Sequence, residues 1–359
     1  MKKKKLKIKI ISLFLNYLHL PIKTNNLFFK FFVFLEVNVL KIMLVIILFI
    51  SYIFISNICL VPKTINISYG LNNQYIYPTL ISIISILENS KNNTFYSFYL
   101  LVEKDEFKLE NKLKFNHLEE KYERCNINFL ELTNKNLEFA QTKRYPISAY
   151  YRLFLSELLP NINRLIYLDG DTLVLNDLTE LSNLDMKNNS VLGFVDNSYE
   201  KCQNFGIKTY KYVTSGVLLI DLKEMRKENI TKKFIAFMKE NRDKLSQEDQ
   251  TVINVVLHGK IDLLPPKYGM WNFVSKKSLL YHNNYENKTL NITAYDENEV
   301  IQAWKNPTII HYVRHKPWKR KTIYTHKEFL KKWWFYAKKS DEYENILKYY
   351  KIRYKYFEF

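Results

Sequence analysis

The stretch "LIYLDGDTLVLNDL", Leu165 to Leu178, sets two aspartates and a glycine directly behind a run of strand-forming apolar residues. Carboxylates at the tip of a buried strand are costly unless something pairs with them. On an extended strand, side chains two residues apart point the same way, about 6.6 Å apart along the chain. We therefore expect Asp169 and Asp171 to converge on a cation, and their oxygen ligands favour Mg²⁺ or Mn²⁺. Gly170 would let a ligand approach the backbone closely.

Three alternatives to a metal site compete for the D-G-D pair. An EF-hand loop would need further acidic residues at alternate positions, where Leu173 and Leu175 stand. A haloacid-type phosphatase uses D-x-D-G-T on its first strand, whereas D-G-D-T here follows roughly the fourth predicted strand. D-G is also a common turn dipeptide without any catalytic role. The pair alone is therefore not specific for a metal site.

Strands and helices alternate through the body of the chain. Strands are predicted at 65–70, 95–102, 127–132, 164–171, 190–196, 215–222, 260–266 and 308–313, and helices at 78–90, 112–122, 147–160, 231–241 and 249–257. Such alternation is typical of an α/β domain with a largely parallel sheet. Ligands of open α/β sheets bind beyond the carboxyl ends of the strands, and Asp169 and Asp171 stand at such an end.

The net charge of +18 lies at the two ends of the chain. Residues 1–41 contain nine lysines against one glutamate, and residues 305–359 contain fifteen lysines and arginines against five acidic residues. Residues 42–304 are therefore neutral overall. Both ends are rich in aromatic and aliphatic residues, which favours contact with a membrane surface over nucleic acid.

Residues 42–61, "IMLVIILFISYIFISNICLV", carry no charge. As a helix they would span roughly 30 Å, which matches the hydrocarbon thickness of a bilayer. A secretory signal peptide would have a shorter apolar core and a small-residue cleavage site. Because most lysines of this region precede the segment, the positive-inside rule predicts a single-pass type II protein. The rest of the chain would face the Golgi or ER lumen in a eukaryote, or alternatively lie on the cytoplasmic face of the inner membrane in a bacterium.

Four regions are predicted: a basic segment 1–41, a transmembrane helix 42–61, an α/β domain 62–325 and a basic aromatic tail 326–359. Two alternatives stay open for the tail: it packs on the domain, or it lies beside lipid. The three cysteines, Cys59, Cys125 and Cys202, follow no metal or redox spacing. A disulfide between Cys125 and Cys202 is also left open.

A second polar cluster, "NPTIIHYVRHKPWKR", occupies residues 306–320. His311 ends an apolar run, and Lys316 follows in the short K-P-W loop. A neutral imidazole can complete a carboxylate site for Mn²⁺, and a nearby lysine can bind phosphate oxygens. A single histidine at a strand end is more often a structural hydrogen-bonding group, but its company here favours a metal site.

With both motifs present, the sequence resembles glycosyltransferase family 8, which includes lipopolysaccharide galactosyl- and glucosyltransferases and Golgi xylosyl- and glucosyltransferases. The similarity runs roughly from residue 64 to residue 318 in the expected order. It implies a GT-A fold, in which helices flank a mixed, mainly parallel Rossmann-like sheet. It also implies a UDP-sugar donor, a glycan or glycolipid acceptor, Mn²⁺ with Mg²⁺ as the alternative, and retention of the anomeric configuration.

The resemblance implies roles for thirteen residues in the motifs "ISYGLNNQY", "AYYRLFL", "YLDGD", "YVTSGVLLIDL", "EDQTVIN" and "IIHYVRHKPW". The metal ligands would be Asp169, Asp171 and His311. The donor would be bound by Asn72, Asn73, Tyr75, Arg152, Thr214, Ser215, Gly216 and Lys316, with Tyr75 stacking on uracil and Lys316 holding the diphosphate. Asp249 would face sugar hydroxyls, and Gln250 would lie near the anomeric carbon.

The chain departs from the family pattern at several positions. Asn72 replaces a frequent Asp, and Thr214 and Gly269 each replace a usual Asn. The usual H-[FY]-x-G-x-x-K-P-W becomes H-Y-V-R-H-K-P-W, one residue shorter and without the glycine. Arg314 could supply positive charge in its place. These departures bear on the sugar preference more than on the nucleotide.

Two functions of other classes compete with a membrane-anchored hexosyl- or xylosyltransferase. The first is a carbohydrate-binding pseudoenzyme of the same fold, which loss of Asp171 or His311 would have indicated; both residues are present. The second is a haloacid-type phosphatase, which the motif order and the K-P-W loop disfavour.

Overall fold

The computed structural model describes residues 63–104, 106–133, 137, 146–196, 200–207, 209, 211–245, 248–272, 294–319 and 327–351, and also residues 38–39, 41–49 and 51. The chain divides into two compact units, Met1–Pro62 and Lys63–Phe359. The second unit contains both sheets and every residue of the predicted site.

The predicted transmembrane helix is not confirmed. Residues 41–49 of the first unit are helical, and the apolar side chains from Ile42 to Phe49 are all exposed. Among the described residues, no helix combines the length and the apolar character needed to cross a bilayer. Residues 50 and 52–61 of the predicted span lie outside the described part of the chain.

Within the described residues, ten strands form two sheets. They are β1 Lys63–Gly70, β2 Thr94–Glu103, β3 Cys125–Leu132, β4 Arg164–Leu168, β5 Thr172–Val174, β6 Val191–Val195, β7 Val213–Asp221, β8 Ile261–Leu263, β9 Met270–Trp271 and β10 Ile309–His311. The larger sheet has the order β3-β2-β1-β4-β7-β6-β8, and only β7 runs antiparallel to its neighbours. The predicted mixed, mainly parallel α/β sheet is therefore confirmed.

The helices follow the predicted alternation, with one correction. The α-helices described in the second unit are α1 Ile76–Asn89, α2 Leu109–Tyr122, α3 Leu155–Leu158, α4 Thr179–Ser182, α5 Glu200–Gln203, α6 Leu222–Lys227, α7 Ile230–Glu240, α8 Glu248–Val256, α9 Glu297–Lys305, α10 Lys327–Lys338 and α11 Tyr343–Tyr349. The single helix predicted at 147–160 is instead a 3₁₀ helix, Ile147–Phe154, followed by the short α3. Because residues 150–156 are all buried, tertiary packing overrides the amphipathic pattern there.

Side chains of β4 alternate between two hydrophobic clusters, one on each face of the larger sheet. Ile166 and Leu168 join the cluster that includes α1, whereas Leu165 and Tyr167 join the cluster that includes α7 and α8. This alternation is the period of two that an extended strand imposes. Helices on both faces therefore bury β4, and its carboxyl end carries the D-G-D motif.

The smaller sheet places a distant strand beside the D-G-D motif. β5 pairs antiparallel with β10, so that His311 lies opposite Thr172. β10 also pairs in parallel with β9, where His311 lies opposite Trp271. The ladder thus fixes His311 next to the end of β4, although the two are far apart in the sequence.

The described part of the C-terminal tail packs against the second unit. Trp333 and Trp334 of α10 are 0% and 2% exposed. Trp333 packs on Trp318 with ring centroids 5.2 Å apart, and Trp334 donates a hydrogen bond of 3.3 Å to the carbonyl of Pro317. The opposite face of α10 is exposed and basic, with Phe335 among its lysines. Residues 327–351 therefore pack on the domain, which is the first of the two alternatives left open for the tail.

Cys125 and Cys202 are buried and free, so the structure contains no disulfide between them. Burial raises the pKa of each thiol to about 12. Both thiols therefore stay protonated at neutral pH and have no thiolate reactivity. Cys59 lies outside the described residues.

Candidate functional site

The two aspartates lie on a turn and not, as predicted, on an extended strand. β4 ends at Leu168, and the backbone N–H of Thr172 donates a 3.1 Å hydrogen bond to the carbonyl of Asp169. This bond closes a four-residue β-turn over 169–172. The turn, and not the pleat of a strand, therefore makes Asp169 and Asp171 converge.

Gly170 serves the packing of this turn. A Cβ at Gly170 would lie 2.3 Å from Oγ1 of Thr79 and 3.3 Å from Cδ1 of Tyr75. The backbone φ angle of Gly170 is not positive, so the conformation itself does not require glycine. The prediction that Gly170 lets a ligand approach the backbone is therefore wrong. Side chains near the start of α1 occupy that space instead.

The structure brings the three predicted metal ligands together. One ligand atom from each of Asp169, Asp171 and His311 lies within 4.8 Å of the other two. Nε2 of His311 is 3.2 Å from Oδ1 of Asp171 and 3.7 Å from Oδ2 of Asp169. Asp171 and His311 are both 5% exposed, so most of the cluster is shielded from water.

These residues fit a divalent cation. Two carboxylate oxygens and one imidazole nitrogen form a donor set that first-row divalent metals accept. β7 carries Thr214, Ser215 and Gly216 past the cluster, and a Cβ at Gly216 would lie 2.2 Å from Cε1 of His311 and 2.6 Å from Oδ2 of Asp169. Glycine at position 216 therefore keeps the space between the ligands open.

Lys316 lies against the same carboxylate. Its ammonium group donates hydrogen bonds to Oδ2 of Asp171 and to the carbonyls of Tyr312 and Val313. Burial acts to raise the pKa of Asp171, but the charges of Lys316 and His311 and their hydrogen bonds outweigh it. The pKa of Asp171 is therefore held well below its usual value, and this carboxylate is ionised at neutral pH.

Arg152 connects the candidate metal ligands to Asp249. Its Nη2 is 2.9 Å from Oδ1 of Asp169, its Nε is 3.1 Å from Oδ2 of Asp249, and its Nη1 donates to the carbonyl of Ser215. The guanidinium carbon lies 4.3 Å from the ring centre of Tyr167. Burial acts to lower the pKa of Arg152, but the two aspartates hold it above its usual value. Arg152 is therefore a buried, permanent cation that hydrogen-bonds to Asp169 and pairs with Asp249 by charge alone, because its Nε–H donates to the carbonyl of Ala149.

Gln250 is held at both ends of its amide group. Its Nε2 donates to Oδ2 of Asp196 at 3.0 Å, and its Oε1 accepts from the backbone N–H of Ser215 at 3.2 Å. Asp196 is absent from the sequence-based set of site residues. The signal that could have found it is its position directly after β6, because Asp169 also follows the carboxyl end of a strand.

The predicted nucleotide-binding residues gather at the start of α1. Oδ1 of Asn72 accepts from the backbone N–H of Tyr75 at 3.2 Å, and Asn73 donates to the carbonyl of Glu106 at 3.3 Å. The ring of Tyr75 meets Trp318 edge-on, with ring centres 6.3 Å apart. Asn72 thus bonds within its own turn and Asn73 bonds to the loop after β2, and within the described residues neither bonds directly to Asp169, Asp171 or His311.

Residues 66–322 match the model of glycosyl transferase family 8. The chain belongs to this family. A putative glycosyltransferase of Haemophilus influenzae is 30% identical over 231 residues, which cover 61% of this chain and 68% of the relative. A lipopolysaccharide 1,2-glucosyltransferase of Escherichia coli is 28% identical over 275 residues, which cover 72% of this chain and 80% of the relative. The chain is therefore a transferase of glycosyl groups, and the phosphatase alternative is wrong.

A solved structure supports the fold. The galactosyltransferase LgtC, in complex with donor and acceptor sugar analogs, superposes with a TM-score of 0.65 and 19% identity. The similarity covers 79% of this chain and 100% of that structure. At this identity the likeness shows the fold alone, a GT-A-like α/β arrangement around a mostly parallel sheet.

Gly216→Ala should weaken divalent-cation binding at least about tenfold, because its methyl group would displace His311 or Asp169 from the ligand positions. Isothermal titration calorimetry of the full chain with Mn²⁺ measures this. Gly259→Ala is the matched control: its φ of +81° makes alanine strained, but no atom lies within 4 Å of the added Cβ. The control should lose about 1–2 kcal/mol of stability and keep its Mn²⁺ affinity. Wild-type affinity in Gly216→Ala would contradict the site.

Proposed function

We propose that this chain transfers glucose or galactose from a UDP-sugar to a glycan or glycolipid, with retention and with Mn²⁺ at Asp169, Asp171 and His311. The observation that carries the proposal is the cluster itself, with its ligand atoms within 4.8 Å of one another and Lys316 beside it. Relatives named as lipopolysaccharide 1,2-glucosyltransferase of Escherichia coli and 1,3-galactosyltransferase of Salmonella typhimurium support a hexose over xylose. Mg²⁺ is the alternative metal.

Binding of the donor needs positive charge where the diphosphate lies. When bound, the metal supplies Lewis-acid stabilisation of the charge that builds on the departing diphosphate, worth several kcal/mol. Lys316 adds a second cation, and its contact with Asp171 supports a role for its ammonium group beside the diphosphate. The ring of Tyr75, beside the D-G-D turn, offers a face for the uracil.

The transfer step we propose takes place on one face of the donor sugar. The acceptor hydroxyl oxygen bonds to the anomeric carbon on the side from which the diphosphate leaves. The bond from that carbon to the diphosphate oxygen breaks with its electron pair, and the acceptor proton passes to this departing oxygen. Gln250, fixed between Asp196 and Ser215, presents a neutral amide dipole to the positive charge that develops on the sugar.

A double displacement would instead need a carboxylate nucleophile behind the anomeric carbon. Asp249 is the candidate, but it is 5% exposed and its Oδ2 is 3.1 Å from Nε of Arg152. Burial raises the pKa of Asp249 above its usual value, although Arg152 offsets part of this effect. Because Asp249 is buried beside the charge of Arg152, its carboxylate is poorly placed to attack the donor sugar, which favours the same-face route.

Release of UDP from UDP-glucose, UDP-galactose and UDP-xylose by the full chain, with Mn²⁺, with Mg²⁺ or with EDTA, tests the function. We expect metal-dependent release from one hexose donor. Asp171→Ala should lower the rate at least about 100-fold, because it removes a ligand and leaves Lys316 without its carboxylate. Asp341→Ala, whose side chain is 71% exposed, should keep the wild-type rate.

The outcomes separate the candidate functions. Release that is insensitive to metal or to Asp171→Ala would contradict the role of the cluster. Metal-dependent UDP binding without release from any donor would indicate a carbohydrate-binding pseudoenzyme of the same fold. Absence of both UDP binding and release would contradict the proposed donor.

We also propose that residues 42–61 attach the chain to a membrane, with the catalytic unit on the side that contains UDP-sugars. The exposed apolar side chains of residues 42–49 and the positive charge of residues 1–41 support this. The full chain should stay in the membrane pellet after alkaline carbonate extraction, and release into the supernatant would contradict attachment.

Protease added to sealed vesicles tests the orientation. It should digest the second unit, Lys63–Phe359, if that unit faces the cytoplasm and spare it if the unit faces a lumen.

A further inference from the structure

The helix behind the D-G-D turn carries buried hydroxyl groups on an otherwise apolar surface. Thr79, Ser82 and Ser85 of α1 are each 0% exposed, and their spacing of three residues places them on one face. The hydroxyl of Ser85 accepts a 2.9 Å hydrogen bond from the backbone N–H of Val174 in β5. This face of α1 therefore binds the turn and β5 through polar contacts as well as packing.

A chain of hydrogen bonds runs from the core to the backbone of a metal ligand. The phenol of Tyr69 is 2.9 Å from Oγ of Ser82, which is 3.0 Å from Oγ1 of Thr172. The hydroxyl of Thr172 donates to the carbonyl of Asp169 at 2.9 Å.

The direction of this chain follows from the supply of protons. Each hydroxyl has one proton to donate. Because Thr172 donates its proton to Asp169, Ser82 must donate to Thr172 and Tyr69 to Ser82. Burial raises the pKa of Tyr69 well above its usual value, so the phenol keeps the proton that begins the chain. The three hydroxyl groups and the Asp169 carbonyl are therefore all satisfied in only one arrangement of protons. This single arrangement makes the row of hydrogen bonds rigid.

Thr172 is connected to each of the three candidate ligands through the backbone or through hydrogen bonds. Its hydroxyl and its N–H both bond to the carbonyl of Asp169, at 2.9 and 3.1 Å. Asp171 is its neighbour in the chain, and His311 lies opposite it in the β5–β10 ladder. A shift of Thr172 would therefore move all three ligands relative to one another.

We propose that Thr172, supported by Ser82 and Tyr69, is a positioning residue that holds Asp169, Asp171 and His311 in the arrangement that binds a divalent cation. This inference rests on the metal site of the proposed function. Without the Thr172 hydroxyl, the Asp169 carbonyl keeps a single hydrogen bond and the Ser82 hydroxyl loses its acceptor inside the core. The turn can then relax away from the ligand positions.

Binding of Mn²⁺ alone to the full chain tests this role. The binding is measured by electron paramagnetic resonance, in which the signal of the free ion decreases as Mn²⁺ binds. Thr172→Val keeps the shape of the side chain and removes the hydroxyl. We expect its Mn²⁺ dissociation constant to rise about tenfold or more, as is typical when a group that orients a metal ligand is lost. Thr172→Ser restores the hydroxyl and should bind Mn²⁺ with the dissociation constant of the wild type.

Thr231→Val is the matched control for a purely structural effect. Thr231 is 2% exposed, and its hydroxyl contacts Oγ of Ser156 at 2.9 Å and the carbonyl of Leu153 at 3.2 Å. It thus has the same two kinds of partner as Thr172, but neither partner belongs to the metal cluster. Thr231→Val should lower the melting temperature about as much as Thr172→Val and leave the Mn²⁺ dissociation constant unchanged.

Wild-type Mn²⁺ affinity in Thr172→Val would overturn the positioning role, and so would a Thr172→Ser variant as defective as Thr172→Val. If Thr172→Val does not fold, Ser82→Ala replaces it, with an expected loss of about threefold, because the bond from Thr172 to Asp169 persists; an unchanged affinity there would equally overturn the role. A wild-type chain that binds no Mn²⁺ would overturn the metal site of the proposed function together with this inference. Mn²⁺ binding that no variant weakens would overturn the inference alone.

Discussion

Only Gly170 separates Asp169 from Asp171 on a tight turn, and the repulsion between the two carboxylate charges is the constraint on which the surrounding structure depends. Two like charges about 4 Å apart repel by roughly 4 kcal/mol at an effective dielectric constant of 20. The chain provides a cation for each: Arg152 bonds to Asp169 and Lys316 to Asp171. His311 stands between the carboxylates and completes a donor set for a third cation. The 3₁₀ helix, the small sheet and the loop after β10 all meet at the end of β4, and this meeting assembles the site.

Local patterns predicted the seven strands of the larger sheet, the helices α1, α2, α7 and α8, and the candidate ligand triad. They could not predict the direction of β7, because a buried apolar run reads the same in either direction. Nor could they distinguish a strand from a turn at 169–172, since D-G-D fits both. Position 170 requires glycine because Thr79 lies against it, and Asp196 belongs to the site because it accepts a hydrogen bond from Gln250. Both contacts join residues that are distant in the sequence, so local patterns could not predict them. Residue type and position identified the candidate ligands, whereas only tertiary packing shows what holds them in place.

Two departures from the family pattern have a physical cause in the structure. A Cβ at Gly269 would lie 2.4 Å from Cβ of Phe194, so the glycine accommodates that aromatic ring. The shortened loop before K-P-W folds back on Lys316, whose ammonium group bonds to the carbonyls of Tyr312 and Val313. The loop is held from behind by α10, since the hydroxyl of Tyr312 donates to a carbonyl of that helix at 2.7 Å. The C-terminal helices therefore support the site as well as the fold.

A crystal of the full chain grown with Mn²⁺ and UDP, measured at the manganese absorption edge, tests the metal site most directly. We expect one strong anomalous peak at about 2.0–2.3 Å from an oxygen of Asp169, an oxygen of Asp171 and Nε2 of His311. Lys316 should then lie on the diphosphate of UDP and no longer on Asp171. A peak elsewhere, or no peak while Lys316 stays bonded to Asp171, would contradict the assignment of the cluster as the metal centre of this glycosyltransferase.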